Sequence, residues 1–177
     1  MNAFVEALRS WQNFYFMTGG AAAGLLGLMF VAVSMGINVL SDEITDDMRA
    51  FVTPNILYFT SALLMAGVML IPTITPHVLA LLLLLGGVYG LARTIPFVLR
   101  LIRVARRNQD FNSADWMAQI ILPLASYALI LITTWGFFAN QWSLAFMTEW
   151  LAMILLLISA IANTWSLVIW VVTQRTK

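Results

Sequence analysis

The sequence predicts an all-α integral membrane protein: a helical bundle of five transmembrane helices, with the N-terminus outside and the C-terminus cytoplasmic. Three observations predict it. Of 177 residues, 62% are hydrophobic and 10% charged, with a mean hydropathy of +0.90, and a water-soluble domain of this size cannot hide that much apolar surface. Five segments, residues 14–40, 51–72, 77–99, 116–138 and 148–172, reach the length of about 20 mostly apolar residues that crossing the hydrocarbon core requires. The basic residues are lopsided: with five spans, one side carries only Arg9, and the other carries Arg49, Arg100, Arg103, Arg106, Arg107, Arg175 and Lys177. Lys and Arg are retained on the cytoplasmic face, which sets the orientation. All connections are short, so residues 1–177 form a single transmembrane helical domain.

The chain opens with Phe4, Leu8, Trp11 and Tyr15 at helical spacing, and Trp11, Phe14, Tyr15 and Phe16 form an aromatic cluster suited to the headgroup layer. Residues 3–12 are therefore expected to be a short interfacial lead-in to the first span. The N-terminus lacks a basic leader and a small-residue cleavage site, so the first span is expected to stay in the mature protein.

Within the first span, Gly20, Gly24, Gly27, Val31, Ser34 and Asn38 fall on one narrow face at about 100° per residue. Ala22, Leu25, Leu26, Met29 and Val33 occupy the opposite face, expected to meet lipid. Glycines let backbones come close, and close packing is a main source of helix association in lipid. The stripe thus reads as a helix-packing seam, within one subunit or between subunits. A sharper reading makes it pore-lining, with Val31 as the constriction and Asp42, Glu43, Asp46 and Asp47 in the following loop as an acidic inner mouth that concentrates cations.

The stretch WQNFYFMTGGAAAGLLGLMFVAVSMGIN resembles the first span of a family of small uncharacterised bacterial multi-pass membrane proteins. These open with Trp, Phe-Tyr, a Gly-Ala run, Gly-Leu-x-Phe-Val-Ala and Ser, and the likeness covers about the first 30 residues. The resemblance implies the bacterial cytoplasmic membrane, that is, the cell inner membrane, and it supplies no catalytic or binding residues.

The second and third spans are joined by ITPH between Pro72 and Pro76. Beyond the third, Arg93, Arg100, Arg103 and Arg107 share a face, with Arg106 to one side, so a cytoplasmic basic helix extension is expected over about residues 100–108. Pro96 is expected to kink it. Such a cluster binds anionic phospholipid headgroups, lines an anion-attracting vestibule in an oligomer, or pairs with the acidic loop. Pro123 is expected to bend the fourth span, and Asn163 with Ser159 and Ser166 forms a polar patch on the fifth. Tyr89, Tyr127 and Trp135 are candidate interhelical donors, and Trp142 and Trp150 belong to an outer aromatic belt.

Other chemistries find no residues to carry them. There is no cysteine, the one histidine, His77, lies in a turn, and neither a metal site nor a cofactor site can be assembled. No nucleophile has a base beside it and no glycine loop leads into a soluble helix, so neither enzymatic activity nor nucleic-acid binding is expected. Glu149 and Asp115 are expected at interfaces, as helix-start residues. The expected function is a homo-oligomeric, channel-like protein with the first span near the central axis; the alternative is a non-conducting accessory or regulatory subunit of a larger membrane protein complex. The expected partners are the lipid bilayer, anionic headgroups and further copies of the chain.

Overall fold

A computed structural model describes residues 3–37, 42–105 and 116–175, with side chains over 3–34, 52–103 and 116–166. The described residues form α1 (Ala3–Ile37), α2 (Asp42–Met69), α3 (Pro76–Ala105), a π-helical turn (Met117–Ile121) that runs into α4 (Leu122–Phe138), and α5 (Trp142–Arg175). Five stretches of these, Ala3–Ser34, Val52–Met69, Pro76–Arg103, Met117–Phe138 and Trp142–Ser166, are long and apolar enough to cross a membrane.

The helix boundaries correct the expected spans in three places. The expected lead-in, residues 3–12, is continuous with the first span, as the first turns of one 35-residue helix, which at 1.5 Å per residue is about 52 Å long. The expected acidic loop is helical from Asp42 onward. The aromatic connection FANQWSLAFMTE shrinks to a turn of three residues, 139–141, because α5 already begins at Trp142.

That turn has a defined cause. Asn140 takes a left-handed conformation, φ 58°, which asparagine tolerates better than most residues. Gln141 N then donates to Gly136 O at 2.8 Å and Asn140 N to Phe137 O at 3.3 Å, closing the last carbonyls of α4 in a Schellman arrangement. Gly136 permits the tight hairpin, because a methyl there would lie 3.1 Å from the Cβ of Ala145. The α2–α3 connection is capped at the other end: Pro76 opens α3 and Thr75 Oγ1 accepts from Val78 N at 3.4 Å.

In the bundle, α5 packs against α4, α2 and α1, and α3 packs against α4 and α2. Helix α1 sits at the edge, held by α2 and α5. The core is a stack of side chains from each inward face: Tyr15, Ala22 and Met29 of α1, Tyr58, Ala62 and Met65 of α2, Leu79 and Leu83 of α3, Tyr127 and Ile130 of α4, and Phe146, Met153 and Leu156 of α5. Glycines set the closest helix crossings: a methyl at Gly87 would lie 2.9 Å from Ile130, and one at Gly90 would enter the Tyr127 ring.

Candidate functional site

The structure inverts the expected faces of α1. Ala22 and Met29 are buried and Leu25, Leu26 and Val33 partly so, whereas Gly20, Gly24, Gly27, Val31 and Ser34 are exposed. A methyl built on Gly20, Gly24 or Gly27 meets nothing within 4 Å. Among the described residues the stripe packs on nothing within the subunit; the role of a seam falls to Gly19, one residue away, where a methyl would lie 2.9 Å from the Cβ of Ala66. The physical reason is that the bulkier face fills the groove between α2 and α5, where its apolar side chains gain more packing contact than a glycine ridge could. Ser34 returns its hydroxyl hydrogen to Phe30 O at 2.8 Å. Asn38 and Arg106 and Arg107 lie outside the described residues, and the side chains of Asp42, Glu43, Asp46 and Asp47 lie outside the described side chains.

Of the basic cluster, Arg93, Arg100 and Arg103 are exposed on α3, which runs unbroken through Pro96. A shallow apolar groove of about 230 Å³, lined by Leu57, Ser61, Met65, Leu82, Gly86 and Tyr89, separates α2 from α3. Tyr89 and Trp135, expected as interhelical donors, are 60% and 57% exposed instead, while Tyr127 meets Ser61 at 3.0 Å.

The polar groups that the bundle does bring together lie in two layers. The layer toward the 105 and 116 ends holds Asn55, Tyr58, Thr94, Gln119, Tyr127, Ser159 and Asn163, all buried. Its best-defined contact starts from Pro123. Proline has no N–H, so inside the π-helical turn the carbonyl of Ala118 loses the donor five residues ahead. Ser159 of α5 supplies one, donating to Ala118 O at 2.7 Å. Leu122 N closes onto Met117 O in the same turn. Asn55 Nδ2 reaches Thr164 Oγ1 at 3.4 Å, and Ser166 turns back to its own helix at Ala162 O. Asn163 shares the face of Ser159, but its side-chain oxygen has no hydrogen-bond partner.

The second layer lies toward the 138–142 turn and was missed. Glu149, expected at an interface, is 0% exposed, and neither carboxyl oxygen has a hydrogen-bond partner. It sits seven residues into α5, about 10 Å along the axis at 1.5 Å per residue. Thr133 of α4 faces it, and Tyr15 of α1, with an unpartnered buried hydroxyl, lies within its electrostatic reach. An aromatic layer closes the bundle above: Phe4 packs on Phe137 and Trp142 at ring-centroid distances of 6.2 and 5.3 Å, and Trp11 stacks on Phe146 at 6.3 Å. The signal for Glu149 was present in the sequence, because Ala145, Ala152, Leu156, Ser159 and Asn163 share its helical face and all are buried.

Among the described residues no group of three or more His, Cys, Asp or Glu is placed to hold a metal ion. In comparisons with known proteins, no family model, no curated protein and no solved structure matches the chain.

Proposed function

We propose that the protein is a self-associating, non-enzymatic protein of the bacterial inner membrane, in which the glycine face of α1 meets the same face of neighbouring copies. The assembly is channel-like, with α1 near its axis, the N-terminus outside and the C-terminus in the cytoplasm. One observation carries the reading: Gly20, Gly24 and Gly27 form a backbone ridge that nothing among the described residues covers, and in lipid a small-residue ridge gains its energy by close approach of another helix. The position of α1 at the bundle edge supports it. The unequal arginine count supports the orientation, and the exposed Arg93, Arg100 and Arg103 suit anionic headgroups at the inner face.

A second reading is favoured by Ser34, whose hydroxyl hydrogen is already committed to Phe30 O. Ser34 then has only oxygen lone pairs to turn outward, and beside it the described stripe is glycine and Val31, which suits a non-conducting accessory subunit that docks on a larger complex. The test is the oligomeric state of the purified protein by native mass measurement or single-particle imaging, followed by ion flux in reconstituted bilayers. A closed ring that conducts supports the first reading; a monomer that copurifies with a larger complex supports the second. A monomer with neither property removes both.

A further inference from the structure

Of the two acidic side chains described, Glu6 is exposed, and Glu149 is completely enclosed by the bundle. An acid deep within a membrane helix is costly to keep there and marks a site whose partners can be named. No basic side chain among the described residues faces Glu149, so as a carboxylate it would have no counter-charge to offset its desolvation.

The hydrogen atoms around it can be assigned one by one. Thr148 has a single hydroxyl hydrogen, and it lies 2.8 Å from Leu144 O and 3.1 Å from Ala145 O. Carbonyl oxygens only accept, so the backbone of α5 offers that hydrogen two acceptors. Thr133 Oγ1 and Thr148 Oγ1 meet at 2.8 Å and either can donate; with the Thr148 hydrogen on its own helix, the donor is Thr133. Its remaining valence toward Glu149 is a lone pair. In that arrangement a carboxylate would meet oxygen lone pair with oxygen lone pair unless Thr133 gave up its contact with Thr148, whereas a carboxylic acid can donate its O–H to Thr133 with that contact kept. A protonated Glu149 that turns its O–H to Thr133 would make the hydrogens run one way, from Glu149 to Thr133 to Thr148 to Leu144 O. The other carboxyl oxygen is left as an acceptor, and the unpartnered hydroxyl of Tyr15 is the donor available to it from α1.

We propose that Glu149 is a proton-binding site, completed by Thr133 of α4 and by Tyr15 of α1, and that α1 is the element whose fit depends on the bound proton. A proton needs one acceptor beside the carboxyl, and Thr133 is the hydroxyl that faces it. A metal ion needs several oxygen atoms turned toward it at once, and the oxygens of Thr133 and Thr148 are turned toward each other. Tyr15 is the titratable group that faces Glu149 from α1; α2 and α4 present none among the described residues. The site is closed above by Phe146 and below by Met153 and Leu156, all at most 1% exposed, so exchange requires α1 to move off α5. On release, the proton passes to water admitted between these helices, forming hydronium. The carboxylate left behind then takes hydrogens from Tyr15 and from a Thr133 hydroxyl rotated away from Thr148. This inference does not rest on the α1 glycine face or on the oligomeric state.

The test uses the full-length protein in micelles and in liposomes, treated with the hydrophobic reagent dicyclohexylcarbodiimide, which adds only to protonated carboxyls, and mapped by peptide mass. The expected result is modification at Glu149, slowing at least about tenfold as the medium is made alkaline, and unaffected by sodium ions. Glu149→Gln should abolish it, and Tyr15→Phe and Thr133→Val should each change its rate severalfold. Absence of modification at Glu149 in the folded protein, or a rate independent of pH, overturns the proposal. Protection by sodium ions at constant pH overturns it in favour of a metal-cation site. Infrared difference spectra give a second readout on the wild-type protein alone, so the conclusion survives if Glu149→Gln does not fold. A carboxylic-acid carbonyl band that responds to pH is expected, and its absence overturns the proposal.

Discussion

A methyl group built on Gly19 of α1 would lie 2.9 Å from the Cβ of Ala66 on α2, while one built on the adjacent Gly20 meets nothing within 4 Å. Two neighbouring glycines thus do different work, one inside the subunit and one on its surface. Gly19→Val should lower the thermal stability of the detergent-solubilised monomer by about 1–3 kcal/mol, the usual cost of overpacking. Gly20→Leu and Gly24→Leu should leave monomer stability within about 0.5 kcal/mol and instead shift native mass spectra toward smaller species. Equal effects on monomer stability from both kinds of variant would contradict the assignment of faces.

The backbone of Gly90 lies against the ring of Tyr127. Gly90→Ala should therefore destabilise the α3–α4 contact by about 1–3 kcal/mol. In a double-mutant cycle with Tyr127→Ala most of that penalty should disappear, because the two residues touch and their effects are coupled. Additive losses in unfolding titrations would show that the methyl is accommodated by another route.

Ser159 compensates for the missing N–H of Pro123 through Ala118 O at 2.7 Å. Ser159→Ala should cost about 1–2 kcal/mol, the range for hydrogen bonds between membrane helices. It should also raise amide exchange around the π-helical turn, while Ser159→Thr keeps most of the stability. Unchanged exchange in Ser159→Ala would mean that the carbonyl finds another donor.

Removing the charges of Arg100 and Arg103 together should weaken retention of anionic over zwitterionic phospholipid, read by native mass spectrometry. The expected loss is about 1 kcal/mol per arginine near the surface. In intact cells a reporter fused after Lys177 should be active only on the cytoplasmic side.

Much of the architecture is legible in the sequence, because run length and hydropathy are local properties: each of the five expected spans overlaps one of the five apolar helices. Helix ends are less legible. That Asn140 would end α4 in one tight turn depends on the close approach of Gly136 and Ala145, a contact in space that hydropathy does not encode. The α1 faces were inverted for a related reason. Small residues mark a surface that can be packed closely, and hydropathy does not say whether the neighbour belongs to the same subunit. Glu149 was misplaced because its distance from the end of an apolar run suggested an interface. The helix starts one to two turns earlier, at Trp142, and carries the acid inward.

The three-residue turn between Phe138 and Trp142 also bears on how the chain enters the bilayer. The fourth and fifth spans emerge from the ribosome nearly back to back, and Thr133 and Thr148 meet across the hairpin they form. A hairpin that partitions as one unit delivers Glu149 with its neighbouring hydroxyl already beside it, so the acid never crosses hydrocarbon unaccompanied. Lengthening that turn with a flexible insert should slow insertion more than it weakens the finished protein.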